Sequence, residues 1–192
     1  SEHLMLLLRK GEVNNHFIRR LNDREQLVRK LEIIPIEVVV RNRTAGSICS
    51  RLGLDEGMIL NNALIEFCLK DDRLNDPLIA SEHIFTFGWA TPQELKIITR
   101  DAIRINKLLS KIFFEIGVIL IDFKLEFGRE TLKFENEIML ADEISPDNCR
   151  LWDASTNKKL DKDRFRRDLG GLIEAYNEIA TRLGVKLPTV FE

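Results

Sequence analysis

A chain of 192 residues is long enough for one large domain or two small ones sharing a cleft. Its 29 basic and 31 acidic residues leave a formal charge of −2, so no global field points toward nucleic acid or an anionic membrane. Cys49, Cys68 and Cys149 are odd in number and widely spaced, which disfavours a disulfide framework, shows no zinc pattern, and predicts reduced thiols in a cytoplasmic protein.

The chain opens on Leu4-Met5-Leu6-Leu7-Leu8-Arg9-Lys10. This run is too short for a signal-peptide core and carries its basic residues on the wrong side, so a buried strand is expected. No apolar run reaches the roughly 20 residues of a membrane span. Asn42-Arg43-Thr44 fits a glycosylation sequon, but no secretory signal accompanies it, and the match reads as chance. Glu32 to Arg41 is β-branched and interrupted by Pro35, which suits a linker strand between two lobes. Ala63 to Leu69 and Ile84 to Phe87 are further strand candidates. Thr91-Pro92-Gln93-Glu94 combines an N-cap, a proline at the first helical position and a glutamate at the third. Leu95, Ile98, Ala102, Ile105, Leu109, Ile112 and Ile116 follow at helical spacing, and Gly117 supplies the stop. Val118 to Phe127 and Glu137 to Ala141, separated by a polar stretch, read as a hairpin that sets Asp142 and Glu143 near Asp122 or Glu126. A second long helix is expected from about Asp163 to Leu183, ended by Gly184. Both helical stripes read as core. Strands alternating with two helices predict an α+β protein.

Chemistry concentrates on Leu120 to Gly128. Alternation along a strand puts Ile121, Phe123, Leu125 and Phe127 on one face and Asp122, Lys124 and Glu126 on the other. Hard divalent cations take oxygen ligands, commonly one or two carboxylates plus substrate phosphates, and a lysine between acids can neutralise a phosphate or a reacting carboxylate. A surface salt-bridge ladder is the plain alternative. Arg41-Asn42-Arg43-Thr44-Ala45-Gly46-Ser47 ends a strand in arginine and offers hydroxyls and a glycine to an anion, or is an ordinary polar turn. In Ser145 to Asp153, Arg150 either reaches a substrate anion or pairs with Asp153, with Trp152 as a core plug. The basic run Lys158, Lys159, Lys162, Arg164, Arg166 and Arg167 reads as a solvated helix start, although cations at a helix N-terminus oppose its dipole and a bound phosphate would offset that. Asp76-Pro77 reads as a turn with His83 partly buried. Neither a Gly-x-x-x-x-Gly-Lys loop nor a Gly-x-Gly-x-x-Gly fingerprint occurs.

Ile34-Pro-Ile-Glu-Val-Val-Val-Arg-Asn-Arg-Thr-Ala-Gly-Ser47 and Leu120-Ile-Asp-Phe-Lys-Leu-Glu-Phe-Gly128 closely resemble the two signature segments of the SAICAR synthetase family. Ala141 to Asp147, Arg150 to Asp153, Asp161 to Arg166 and Leu169 to Tyr176 look like the family too, and the resemblance runs from about Phe17 to Val185. It implies a two-lobed, ATP-grasp-like α+β fold, with antiparallel sheets flanked by helices around a cleft. Residues 1–34 would be the remnant of a nucleotide-covering lobe and residues 35–192 the main domain. The implied activity is a cytoplasmic, ADP-forming ligase of purine synthesis that joins L-aspartate to carboxyaminoimidazole ribotide through an acyl phosphate. By similarity, Glu126 and Asp142 would hold Mg²⁺ against the ATP phosphates, and Lys124 and Asp122 would sit at the reacting carboxylate and ribotide. Arg41, Ser47, Arg150 and Arg166 would take the ribotide phosphate and nearby anionic groups. Lys70 would assist ATP binding, Ile34 and Pro35 would border adenine, and Asp76 would lie near the imidazole.

Two departures stand beside this resemblance. Family members carry an N-terminal Gly-Lys-x-Lys segment that covers the ATP phosphates, with no match here, so Lys10 to His16 reads as a splice between ordered parts of a longer protein. Where the family usually has Asn-Asp-(Glu/Asp)-His, this chain has Ala80-Ser81-Glu82-His83. Two rival readings are a metal-dependent nuclease built on Asp122-x-Lys124, and a non-catalytic ribotide-binding homologue. The expected partners are the ribotide, aspartate and ATP, without nucleic acid or membrane, and a homodimer is allowed.

Overall fold

The computed structural model describes residues 1–131 and 137–186. In chain order it holds α1 (Glu2–Lys10), β1 (Phe17–Arg20), β2 (Gln26–Val28), β3 (Glu32–Arg43), α2 (Ser47–Leu52), β4 (Ile59–Leu69), a 3-10 turn (Asp72–Leu74), β5 (Leu78–Ile79) and α3 (Ser81–Thr86). There follow α4 (Pro92–Glu115), β6 (Val118–Glu130), β7 (Glu137–Ala141), β8 (Cys149–Asp153), α5 (Asp163–Arg166) and α6 (Leu172–Arg182). The architecture is α+β: β1 and β2 form a small sheet of their own, and a six-stranded antiparallel sheet runs β5-β4-β3-β6-β7, with β8 also paired to β6.

The centre of the large sheet is the pair β3–β6. Val38 and Val40 of β3 and Phe123, Leu125 and Phe127 of β6 are buried on one face, against Leu95, Ile98, Ala102, Ile105, Leu109 and Phe113 of α4. The start of α4 is the expected capping box: the Thr91 hydroxyl accepts from the Glu94 N–H at 3.2 Å, and the Glu94 carboxylate accepts from the Thr91 N–H at 2.7 Å. Arg129 of β6 then donates to both oxygens of Glu94, at 2.6 and 3.1 Å, and so ties the cap to the sheet. Pro35 acts as its chemistry requires. Having no N–H to donate, it lies where the β3–β6 register shifts, between Ile33 and Glu37.

Several expectations are corrected. Leu4 to Leu8 belong to a helix, not a strand: Leu4, Met5 and Leu8 share the buried face while Leu6 is exposed. A short apolar run has no period that separates the two, and here contact with the common core decides. Lys10 to His16 is continuous structure rather than a splice. The Val13 N–H donates to the Leu8 carbonyl at 3.0 Å, and the buried Asn15 amide donates to the carbonyls of Met5 and Val13 at 3.0 and 3.2 Å. Residues 84–86 fall in α3, where only Ile84 is buried and Phe85 points outward. The helix expected over Asp163–Leu183 is two helices, because Asp168, Gly170 and Gly171 all adopt left-handed φ and turn the chain between them. The β6–β7 hairpin is borne out, with Glu126 opposite Ala141; its connection includes residues 132–136, outside the described set. Among the described residues no helix is long and apolar enough to cross a membrane.

Candidate active site

β6 changes partner along its length. Val118 to Phe123 pair with β8, and Glu126 to Glu130 pair with β7. Lys124 lies in the gap, where its backbone N–H donates to the Asn148 carbonyl at 2.9 Å. The Asn148 side-chain amide also donates to the Lys124 carbonyl at 3.3 Å, so the loop between β7 and β8 is held against β6 beside its charged face. A cavity of about 370 Å³ opens there, lined by residues of β3, β6, this loop and the start of α5.

The face of β6 is not one clean alternation. A bulge between Leu120 and Asp122 puts an extra residue into the strand opposite β8. Ile121 consequently packs with Ala45 and Trp152 in a small second cluster, apart from the core that holds Phe123, Leu125 and Phe127. Asp122, Lys124 and Glu126 share the site face as expected. On β3, Glu37 stands opposite Glu126, Val39 opposite Lys124 and Arg41 opposite Asp122. Like charges directly across a ladder repel. The Lys124 ammonium resolves the conflict diagonally, 2.7 Å from Glu37 and 2.9 Å from Glu126, with Asp142 at 3.8 Å. Lys70 adds a second cation 2.7 Å from Glu126.

The protonation balance follows from these contacts. Burial works against the Lys124 ammonium, but the bonds to Glu37 and Glu126 outweigh it and raise its pKa above the ordinary lysine value. Burial likewise opposes the Glu126 carboxylate, and Lys70 and Lys124 still hold its pKa below the usual range. The Lys70 pKa is raised chiefly by its bond to Glu126. Asp142 goes the other way: burial first, then the charge of Glu126, push its pKa up. It is the least compensated carboxylate of the group, and it sits in a left-handed conformation at the end of β7.

One residue pair toward β8, the charges invert. Arg41 donates to Asp122 at 2.7 Å, to Glu66 at 2.7 Å and to the Ser47 hydroxyl at 3.2 Å. Arg150 donates to both oxygens of Asp122 at 2.9 Å and to Asp163 at 2.9 Å, and Arg166 also reaches Asp163 at 2.9 Å. Asp122 is buried, and desolvation raises its pKa against the pull of Arg150 and Arg41. The result is a row of alternating charges, Glu66–Arg41–Asp122–Arg150–Asp163–Arg166, whose guanidinium groups border the cavity.

Of the residues singled out in the sequence, Arg41, Asp76, Asp122, Lys124, Asp142, Arg150 and Arg166 line one cavity. Glu126, Lys70 and Ser47 join them through direct bonds. Ile34 does not: it is fully buried in the main core and lines no part of the cavity. Arg150 does not pair with Asp153, which instead accepts from Arg182 at 2.7 Å. Sequence reasoning missed Glu37, Asn148 and Asp163. Glu37 was legible, because it stands two and four residues before Val39 and Arg41 on the same face of β3. Asp163 was masked by its place in a charged run. Among the described residues no cluster of three or more His, Cys, Asp or Glu side chains could hold a metal ion.

The SAICAR synthetase family model matches residues 1–183. This chain belongs to the SAICAR synthetase family. A phosphoribosylaminoimidazole-succinocarboxamide synthase A of Bradyrhizobium diazoefficiens is 59% identical over 188 residues, covering 96% of this chain and 72% of that protein. The crystal structure of the corresponding synthase from Ehrlichia chaffeensis is 49% identical with a TM-score of 0.95, over 97% of this chain and 79% of the other. A SAICAR synthetase solved in complex with ADP superposes with a TM-score of 0.92 at 44% identity, over 97% of this chain and 79% of that one.

Proposed function

We infer that this protein is an ATP-dependent, ADP-forming ligase that joins L-aspartate to the carboxylate of carboxyaminoimidazole ribotide, giving SAICAR in purine biosynthesis. Family membership supports the reaction class. The observation that carries the site assignment is the Lys124 ammonium held among Glu37, Glu126 and Asp142, one strand repeat from the arginine row.

The chemistry proceeds in two steps. A ribotide carboxylate oxygen attacks the γ-phosphorus of ATP, and ADP leaves. The aspartate amine then attacks the acyl carbon of the mixed anhydride; the C–O bond to phosphate breaks, phosphate and a proton depart, and the amide remains. Negative charge accumulates throughout, so fixed cations act where it develops. Lys124 neutralises the reacting carboxylate and the transferred phosphoryl group. Arg41, Arg150 and Arg166, with the Ser47 hydroxyl, hold the ribotide phosphate, for which planar guanidinium forks are suited. Asp122 fixes Arg41 and Arg150 and faces the ribotide, and Asp76 lies near the imidazole.

The donor set fits Mg²⁺. Asp142 and Glu126 supply two carboxylates, too few for an all-protein cage but typical of a cation that shares its shell with nucleotide phosphates. The raised pKa of Asp142, driven by burial and by Glu126, marks a place where positive charge is missing. When bound, Mg²⁺ would offset the charge of the ATP phosphates there. Lys70 serves the same end of the site. The β1–β2 hairpin, a sheet separate from the main one, is assigned to the nucleotide-covering lobe within residues 1–34, although α1 of that stretch packs into the common core. A homodimer is part of this reading and is tested by sedimentation velocity.

The test is ADP release by the intact protein, measured with each substrate omitted in turn. Release that requires both ribotide and aspartate is expected; release independent of either would refute the assignment. The nuclease and non-catalytic readings have no supporting observation.

A further inference from the structure

Asp161 is buried, 1% exposed, does not line the cavity, and among the described residues its carboxylate bonds only backbone N–H groups. Both of its carboxylate oxygens are nevertheless used. One accepts the backbone N–H of Leu151 at 2.7 Å, and the other accepts the backbone N–H of Asp163 at 2.7 Å. These donors belong to different elements. Leu151 follows Arg150 on β8, and Asp163 opens α5 and bonds both Arg150 and Arg166. A second tie between the same segments is the Leu160 N–H to the Leu151 carbonyl at 2.8 Å.

We propose that Asp161 is a positioning residue for the anion-binding arginines: its carboxylate pins β8 to the start of α5, and so sets the distance between Arg150 and Arg166 through Asp163. The proposal rests on the reading of those arginines as the ribotide-phosphate site. A carboxylate is required because both partners are donors. An asparagine at 161 offers one acceptor oxygen and turns an N–H toward the second backbone N–H. One contact is then lost, and the two elements shift relative to each other while the core beneath stays unchanged.

The experiment compares wild type with Asp161→Asn and Asp161→Ala, measuring KM for ribotide, ATP and aspartate separately, with thermal unfolding of each protein. The expected result is a rise of about 10-fold in KM for the ribotide in Asp161→Asn and more in Asp161→Ala. KM for ATP should stay within about twofold. A purely structural role would lower the unfolding midpoint without this selectivity, and equal changes in all three KM values would overturn the proposal. So would an unchanged ribotide KM in a folded Asp161→Asn. If Asp161→Ala does not fold, Asp161→Asn alone decides. A double-mutant cycle with Arg166→Ala adds a readout that only positioning moves: the two effects on ribotide KM should be less than additive. If wild type itself releases no ADP with ribotide and aspartate, the functional reading fails; calorimetric titration with ribose 5-phosphate then still reports whether Asp161→Asn weakens phosphate binding.

Discussion

Replacing Lys124 by methionine keeps much of the stem and removes the ammonium. In the folded protein that ammonium faces Glu37 at 2.7 Å, Glu126 at 2.9 Å and Asp142 at 3.8 Å. At an effective dielectric of about 20, a unit charge pair at that first distance is worth about 6 kcal/mol before desolvation is subtracted. Lys124 is 30% exposed, so the net loss of stability is much smaller, about 1–2 kcal/mol, and Lys70 still compensates Glu126. The catalytic loss should exceed it. Removing one fixed group aimed at developing charge typically costs about 10²- to 10³-fold in kcat, or about 2.7–4 kcal/mol. The assay is steady-state ADP release with saturating ribotide and aspartate, beside thermal unfolding of the same preparations. An interaction made mainly in the transition state predicts that kcat falls while KM for ATP changes little. A folded Lys124→Met enzyme with kcat within about fivefold of wild type would refute the role given to this ammonium.

Other substitutions separate stability from turnover in different ways. Asp142→Asn removes a carboxylate whose pKa is raised, so its ionised form costs folding free energy above that pKa; the variant should melt at or above the wild-type temperature near neutral pH while losing most activity. A lower midpoint would count against the electrostatic account. Gly46 adopts φ +63°, and a Cβ there would collide with the Arg150 guanidinium, so Gly46→Ala should cost roughly 1–3 kcal/mol and raise the ribotide KM, both measurable on one preparation. The Arg129 guanidinium, helped by Thr91, holds the Glu94 pKa down to about 2 from 4.5. A depressed carboxylate contributes stability above its unfolded value that is lost as pH falls between about 4.5 and 2, so Glu94→Gln should flatten that part of the stability profile and cost about 1–2 kcal/mol at pH 7. An unchanged profile in urea titrations across that range would remove Arg129 as the anchor of α4.

Much of the site could be read along the chain because strand alternation is local. Asp122, Lys124 and Glu126 at every second residue, and the capping box at Thr91 to Glu94, depend only on neighbours within a few residues, and both survive in the fold. The α+β class and the β6–β7 hairpin follow from the same short-range patterns. What failed were segments whose local signal was degenerate. Leu4 to Leu8 is apolar at every position and takes its helical form from contact with the core. Residues 84–86 have one buried side chain and no period to read. The break between α5 and α6 depends on Asp168 in a left-handed conformation beside two glycines, which a helical stripe of apolar residues conceals.

By itself the sequence determined the family, through its motifs, and marked the charged residues that gather around one cavity. It did not determine which charges meet. Glu37 opposite Glu126, Lys124 between them, and Arg150 shared by Asp122 and Asp163 all depend on a register shift at Pro35, a bulge beside Ile121, and a strand that exchanges β8 for β7 at Lys124. Such pairings join residues as far apart in the chain as Glu37 and Glu126 and are selected by how sheets close over a common core, so only the tertiary structure decided them.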